Sequence, residues 1–169
     1  MAIVLIGGGT RSGKSTHALR LARERGKRLG FIATAEIYDQ EMRDRVDRHR
    51  SERGREFITI DAPTGLAEAL QTHALSFDAL VVDCLTLWAS NLLLAGTDDI
   101  PAETARVIGT AASMPFVVFV TNEVGCGIVP DNALARQYRD LAGRMNQDFA
   151  EAADEVYWMA FGCPLKVKG

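Results

Sequence analysis

Short apolar runs punctuate the chain, and the segments between them carry apolar residues at helical spacing. Ala2-Ile3-Val4-Leu5-Ile6 and Phe116-Val117-Val118-Phe119-Val120 have no polar residue at alternate positions, as in strands covered on both faces. On this basis strands are predicted at residues 2–6, 29–33, 57–60, 79–83, 116–121 and 156–161, with 165–168 as a further edge strand. Helices are predicted at 14–25, 39–53, 66–74, 85–95, 102–112 and 132–153, with Gly26, Gly54 and Gly96 as stops. Regular alternation of the two predicts an α/β fold, a mainly parallel sheet flanked by helices. The 169 residues form a single domain spanning 1–169, with no internal repeat, low-complexity tract or linker. Residues 96–101 are the loosest stretch and read as a surface connection.

Between the first strand and the first helix stands Gly8-Gly9-Thr10-Arg11-Ser12-Gly13-Lys14-Ser15, which fills the phosphate-loop pattern G-x-x-x-x-G-K-[ST]. Strand, glycine loop and helix in that order separate a working phosphate loop from a chance match. Gly8 and Gly13 let the backbone curl so that successive N–H groups face phosphate oxygens. The following helix adds the partial positive charge of its N-terminus. Lys14 is placed to neutralise the terminal phosphates, and the Ser15 hydroxyl to ligate Mg2+. The chain is therefore expected to bind a nucleoside triphosphate.

Ligands of such sheets sit at the carboxyl ends of the strands. That rule gathers Thr34 and Glu36, Asp61, Asp83, and Thr121, Asn122 and Glu123 into one cleft. Asp83 closes an apolar strand, where it can hold Mg2+ beside Ser15 or cap the next helix. Residues 39–53 mix five arginines with five acids, and an apolar stripe of Tyr38, Met42 and Val46 continues to His49 and Arg53. His49 thus projects from the inward side, and from the residues alone it is either structural or catalytic. The polar triplet and two glycines of Thr121-Asn122-Glu123-Val124-Gly125-Cys126-Gly127 suit a substrate loop. Arg136, Asp140 and Arg144 recur every four residues, on a face that is either solvated or lines a cleft.

A net charge of −3 without a lysine-rich patch gives no support to nucleic-acid binding. Cys84, Cys126 and Cys163 have no metal-site spacing and read as reduced thiols, each a small core residue. The N-terminal apolar run is too short and lacks the basic leader of a signal peptide. Residues 85–95 are too short to span a bilayer and read as a buried helix or a subunit contact. A cytoplasmic location is expected.

The chain resembles the bifunctional adenosylcobinamide kinase / adenosylcobinamide-phosphate guanylyltransferase family of cobalamin synthesis. The resemblance rests on the phosphate loop, on Phe31-Ile32-Ala33-Thr34-Ala35, and on the helix bearing Arg45, His49 and Arg50. It rests above all on Val120-Thr121-Asn122-Glu123-Val124-Gly125-Cys126-Gly127-Ile128-Val129-Pro130 and on Tyr138-Arg139-Asp140-Leu141-Ala142-Gly143-Arg144-Met145-Asn146-Gln147. It covers essentially the whole chain and implies a fold similar to the recombinase-type ATPase core, in a homo-oligomer, with trimers familiar. It further implies two reactions. A nucleoside triphosphate, ATP or GTP, phosphorylates adenosylcobinamide; a histidine then takes GMP from GTP and passes it to adenosylcobinamide phosphate. The nucleophile matches His49, while Thr34, Ala35 and Glu36 with Arg50, Ser51, Glu52 and Arg53 border the guanine nucleotide. Asp61 stands where a Glu is common, and Cys126 carries no implied role. Asp83 and Glu123 are both candidates for the base of the kinase step. Two rival readings remain at this point. One is a phosphate-loop kinase without a covalent step. The other is a nucleotide switch or motor, which the missing N-K-x-D motif and the acidic charge disfavour.

Overall fold

The computed structural model describes residues 1–36, 40 and 53–169. The helix expected over 39–53 therefore lies outside the described residues apart from Gln40 and Arg53, and so do His49, Arg50, Ser51 and Glu52. In chain order the described elements are β1 (Ile3–Gly8), α1 (Lys14–Arg25), β2 (Leu29–Ala33), β3 (Phe57–Asp61), α2 (Leu66–His73) and β4 (Ala79–Asp83). They continue with α3 (Leu85–Leu94), α4 (Ile100–Ala111), β5 (Val117–Val120), α5 (Ala133–Ala152), β6 (Glu155–Ala160) and β7 (Cys163–Lys168). The strands form one seven-stranded sheet in the order β3-β2-β4-β5-β1-β6-β7. Neighbouring strands run parallel up to the β6/β7 hairpin, which is antiparallel.

The continuous apolar runs are explained by burial on both faces. Along β1, Ile3 and Leu5 enter the core made with α2, α3, α4 and α5, whereas Val4 and Ile6 enter the core made with α1. β4 divides the same way, Leu80 and Val82 to one side and Ala79 and Val81 to the other. A strand so placed has no solvent face on which to put a polar residue. Each fully buried large aliphatic side chain stabilises the fold by roughly 1.5–3 kcal/mol. Trp88 of α3 is wholly buried, and its indole N–H donates to the Thr64 carbonyl at 2.8 Å, so its polar atom is not stranded.

Several expectations shift at their edges. β1 runs on to Gly8 rather than ending at Ile6, because β6 pairs with it through Gly7 and Gly8. α4 starts at Ile100, so part of the stretch read as loose connection is helix. Asp99 caps it by accepting from the Ala102 N–H at 2.9 Å, and Pro101 sits in its first turn, where a missing N–H costs nothing. Of the cysteines read as core residues only Cys84 is buried; Cys126 and Cys163 are exposed. The apolar segment 85–95 is α3, whose Leu85, Trp88, Ala89 and Leu92 are buried against this chain's own helices and sheet. Leu94, at its end, remains exposed.

Candidate nucleotide site

The phosphate loop begins where β1 ends. Gly8 has φ +148°, and a Cβ there would stand 2.8 Å from the Met159 carbonyl oxygen, so no larger residue fits. Gly13 has φ +92° and occupies the N-cap position of α1. Arg11, exposed, also adopts a left-handed φ of +56°. Three such turns within a few residues curl the loop around its own interior. The first turn of α1 holds no acidic residue and Gly13 offers no side chain, so its N–H groups and their partial positive charge are available to an anion. Lys14 is buried, and its ammonium donates to the Gly9 carbonyl at 2.5 Å and the Ser12 hydroxyl at 3.4 Å. Its charge therefore lies within the loop.

The loop is supported from both sides. The Glu123 N–H donates to the Gly8 carbonyl at 3.2 Å, and the Gly162 N–H donates to the Ser12 carbonyl at 3.1 Å. The second contact makes the β6/β7 turn a wall of the site, a role the tail's sequence did not announce.

Asp83 lies at the carboxyl end of β4 and accepts a hydrogen bond from Ser15 Oγ at 2.5 Å. It does not cap α3: Cys84 is the N-cap residue and makes no side-chain cap bond. A hydroxyl and a carboxylate in contact are hard oxygen donors, the set that Mg2+ accepts together with phosphate oxygens and water. Among the described residues no group of three or more His, Cys, Asp or Glu side chains converges, so an all-protein metal cage is not formed there.

Behind Asp83 runs a buried polar network. Thr34 Oγ1 accepts from the Cys84 N–H and donates to the Cys84 carbonyl, both at 2.8 Å. Asn91 donates to the Thr34 carbonyl at 2.8 Å. Asn122 Nδ2 donates to Thr86 Oγ1 at 2.8 Å, Thr121 Oγ1 donates to Asn146 Oδ1 at 2.6 Å, and Asn146 Nδ2 returns to the Asn122 carbonyl at 3.3 Å. Burial, reinforced by the negative charge of Asp83, pushes the Cys84 thiol up to about 11. Burial likewise pushes the Tyr138 phenol, which donates to the Thr86 carbonyl at 3.0 Å, up to about 12. The Glu123 carboxylate accepts from the Gly125 N–H and so shapes its own loop.

Other expected residues are placed less centrally. Ala35 and Glu36 follow Thr34 and are half-buried, and Thr10 is exposed. Asp61 is exposed at the end of β3, in register with Ala33, which is in turn in register with Asp83. Two strand spacings put their backbones roughly 10 Å apart along one edge. Arg53 is buried: its guanidinium lies 3.3 Å from the Phe31 ring centroid and donates to Thr59 Oγ1 at 2.9 Å. Thr86, Asn91 and Asn146 were not singled out from the sequence. The available signal was a polar residue on an inward helix stripe, as Asn146 is beside Met145 and Phe149.

Residues 4–167 match the family described as cobinamide kinase / cobinamide phosphate guanyltransferase. The bifunctional adenosylcobalamin biosynthesis protein CobP of Pseudomonas aeruginosa is 40% identical over 167 residues, covering 98% of this chain and 96% of that protein. The bifunctional adenosylcobalamin biosynthesis protein CobU of Salmonella typhimurium is 39% identical over 181 residues, covering 98% and 99%. Among solved structures, the RadB recombinase superposes with a TM-score of 0.57 at 14% identity over 93% of this chain and 73% of its own. The flagellar accessory protein FlaH of Methanocaldococcus jannaschii gives 0.57 at 12% identity over 99% and 78%. At such identities the likeness is one of fold, and it is the recombinase-type architecture expected above.

Proposed function

Because this chain belongs to the cobinamide kinase / cobinamide phosphate guanyltransferase family, we propose that it performs both reactions named there, the second through a covalent GMP on His49. The observation that carries the reading is the Ser15–Asp83 contact beside Lys14, inside a chain that matches the family from residue 4 to 167.

In the first reaction the aminopropanol hydroxyl of adenosylcobinamide attacks the γ-phosphorus of a nucleoside triphosphate, and the bond to the β-phosphate oxygen breaks. The N–H groups of the loop and of α1 hold the phosphate chain, and Lys14 offsets the charge gathering on the leaving oxygens. Ser15 and Asp83 would hold Mg2+, which would supply charge neutralisation on the phosphates. Asp83 and Glu123 are the two candidates for the base that takes the hydroxyl proton: the Asp83 carboxylate accepts from Ser15 Oγ, and the Glu123 carboxylate from the Gly125 N–H.

In the second reaction an imidazole nitrogen of His49 attacks the α-phosphorus of GTP and pyrophosphate departs. The phosphate of adenosylcobinamide phosphate then displaces the imidazole, giving adenosylcobinamide-GDP. Gly8 to Ser15 hold the phosphates in both steps; Ala35, Glu36, Arg50, Ser51, Glu52 and Asp61 border the guanosine. Asn122 and Glu123 face the acceptor. The active form is a homo-oligomer in the cytoplasm. Among the described residues no helix is long and apolar enough to cross a membrane.

Mass spectrometry of the intact chain after GTP and Mg2+, without corrinoid, tests the covalent step. A gain of one GMP that is lost in acid, persists in alkali and disappears in His49→Ala is expected. His49→Ala retains phosphorylation of the cobinamide hydroxyl. An unchanged mass, or an adduct on His17 or His73, refutes the assignment, and an unchanged mass with intact kinase activity leaves a kinase alone.

A further inference from the structure

We propose that Thr34 is a positioning residue that sets the place of the Asp83 carboxylate, and that its side chain does not contact the nucleotide. The inference rests on the reading of Ser15 and Asp83 as the Mg2+ ligands.

Thr34 is wholly buried, and every polar atom it owns is spent. Its N–H donates to the Asp83 carbonyl at 3.3 Å. Its hydroxyl accepts from the Cys84 N–H and donates to the Cys84 carbonyl, each at 2.8 Å, while its own carbonyl accepts from Asn91 at 2.8 Å. One residue at the end of β2 thus grips the backbone of Asp83 and of its successor by three bonds. Neither its N–H nor its hydroxyl proton remains to donate to a ligand.

The position matters because of where β4 ends. Register pairing holds Asp83 between Ala33 and Val120. Beyond it the chain leaves the sheet for α3, so ladder hydrogen bonds no longer fix the backbone that follows. The Thr34 hydroxyl replaces them, satisfying a buried donor and a buried acceptor that would otherwise go unpaired. The direction of Cα–Cβ at Asp83 depends on the peptide unit that follows it, and Thr34 holds that unit at both ends, the Asp83 carbonyl and the Cys84 N–H. The carboxylate is thereby delivered to 2.5 Å from Ser15 Oγ. Outer partners of this kind typically govern metal affinity by about 10–100-fold.

The test uses the full chain and a fluorescent GTP analogue with a methylene bridge between the α and β phosphorus, so that no transfer occurs. Its Kd is measured in EDTA and in saturating Mg2+, and the ratio is the gain from metal. Thr34→Val and Thr34→Ala are expected to cut that gain by about 10–100-fold while leaving the metal-free Kd unchanged. Thr34→Ser, which keeps the hydroxyl, retains the gain. Ile32→Val, a core change in the same strand, retains it as well and controls for lost stability.

A folded Thr34→Val or Thr34→Ala with the full metal gain overturns the proposal. So does a parallel loss of metal-free affinity, which marks Thr34 as a nucleotide ligand. Asp83→Asn separates the two readings. If it loses the gain and the Thr34 variants do not, only the role of Thr34 fails. If Asp83→Asn keeps the gain, the metal reading fails and the proposal falls with it.

Discussion

Ser15 and Asp83 are 68 positions apart in the chain, and Ser15 Oγ donates to Asp83 Oδ2 at 2.5 Å. One opens α1 and the other closes β4, strands apart in the sheet from the β1 that feeds the loop. The contact forms because parallel strands bring their carboxyl ends to a common edge, where the first turn of α1 also starts.

Removing either partner is expected to cost phosphoryl transfer more than fold. Asp83→Asn keeps an acceptor for Ser15 but loses the negative charge, and a fall in kcat of ~10²–10³ is expected, the scale of a lost electrostatic contact. Steady-state kinase assays with a thermal melt check it. Turnover within a factor of about three of wild type, in a variant that melts normally, removes Asp83 from the mechanism.

Lys14→Ala removes the ammonium that bonds Gly9 and Ser12 within the loop. Both reactions are expected to slow by ~10²–10³, since both draw on the same phosphate cradle. Parallel assays of cobinamide phosphorylation and GMP adduct formation read this out. Full rate in either one shows that Lys14 does not serve that step.

The cysteines differ in a way a thiol reagent can count. Cys126 and Cys163 are exposed, whereas Cys84 is buried with its thiol pushed up to about 11. At pH 8 a colourimetric disulfide reagent should titrate two thiols in the native chain and a third only in denaturant. The same shift carries a stability consequence. Between the ordinary thiol range and about 11 the unfolded chain releases a proton that the folded chain retains, so stability falls as pH rises through that window. Three fast-reacting thiols in the folded protein contradict this placement of Cys84.

His17 predicts an acid limb. It is buried in α1, its Nε2 has no hydrogen-bond partner among the described residues, and its ring meets Tyr157 edge-on at 5.1 Å. Burial first, and then the Arg20 charge, lowers its pKa below the ordinary imidazole value of 6.5. The unfolded chain therefore takes up a proton that the folded one resists. The stabilising difference is complete above about 6.5 and is lost as pH falls towards the lowered folded value. Urea melts from pH 7.5 to 5 should show this slope, and His17→Gln should flatten it. An identical slope in the variant assigns the acid limb to other groups.

Much of the architecture was legible in the order of residues because it rests on local chemistry. The continuous apolar runs placed β1, β2, β4 and β5, since burial on both faces leaves no polar alternation to interpret. α1 and the phosphate loop were readable from glycine, lysine and serine at fixed spacing, since curling the backbone around phosphate demands those types.

Contacts between strand ends were not legible. No spacing rule links Thr34 to Cys84, Thr86 to Asn122, or Ser12 to the turn at Gly162, because each pair is joined only when the sheet sets its strands in the order β3-β2-β4-β5-β1-β6-β7. The burial of α3 within its own chain was equally hidden, since an apolar helix looks the same whether its cover is a neighbour or itself. The sequence by itself determined that this chain is an α/β phosphate-loop protein, since strand burial and phosphate binding are matters of residue type at short range. Only the tertiary structure decided that Asp83 meets Ser15 and that the Thr34 hydroxyl bonds the backbone of Cys84, because hydrogen bonds between distant segments depend on register and strand order.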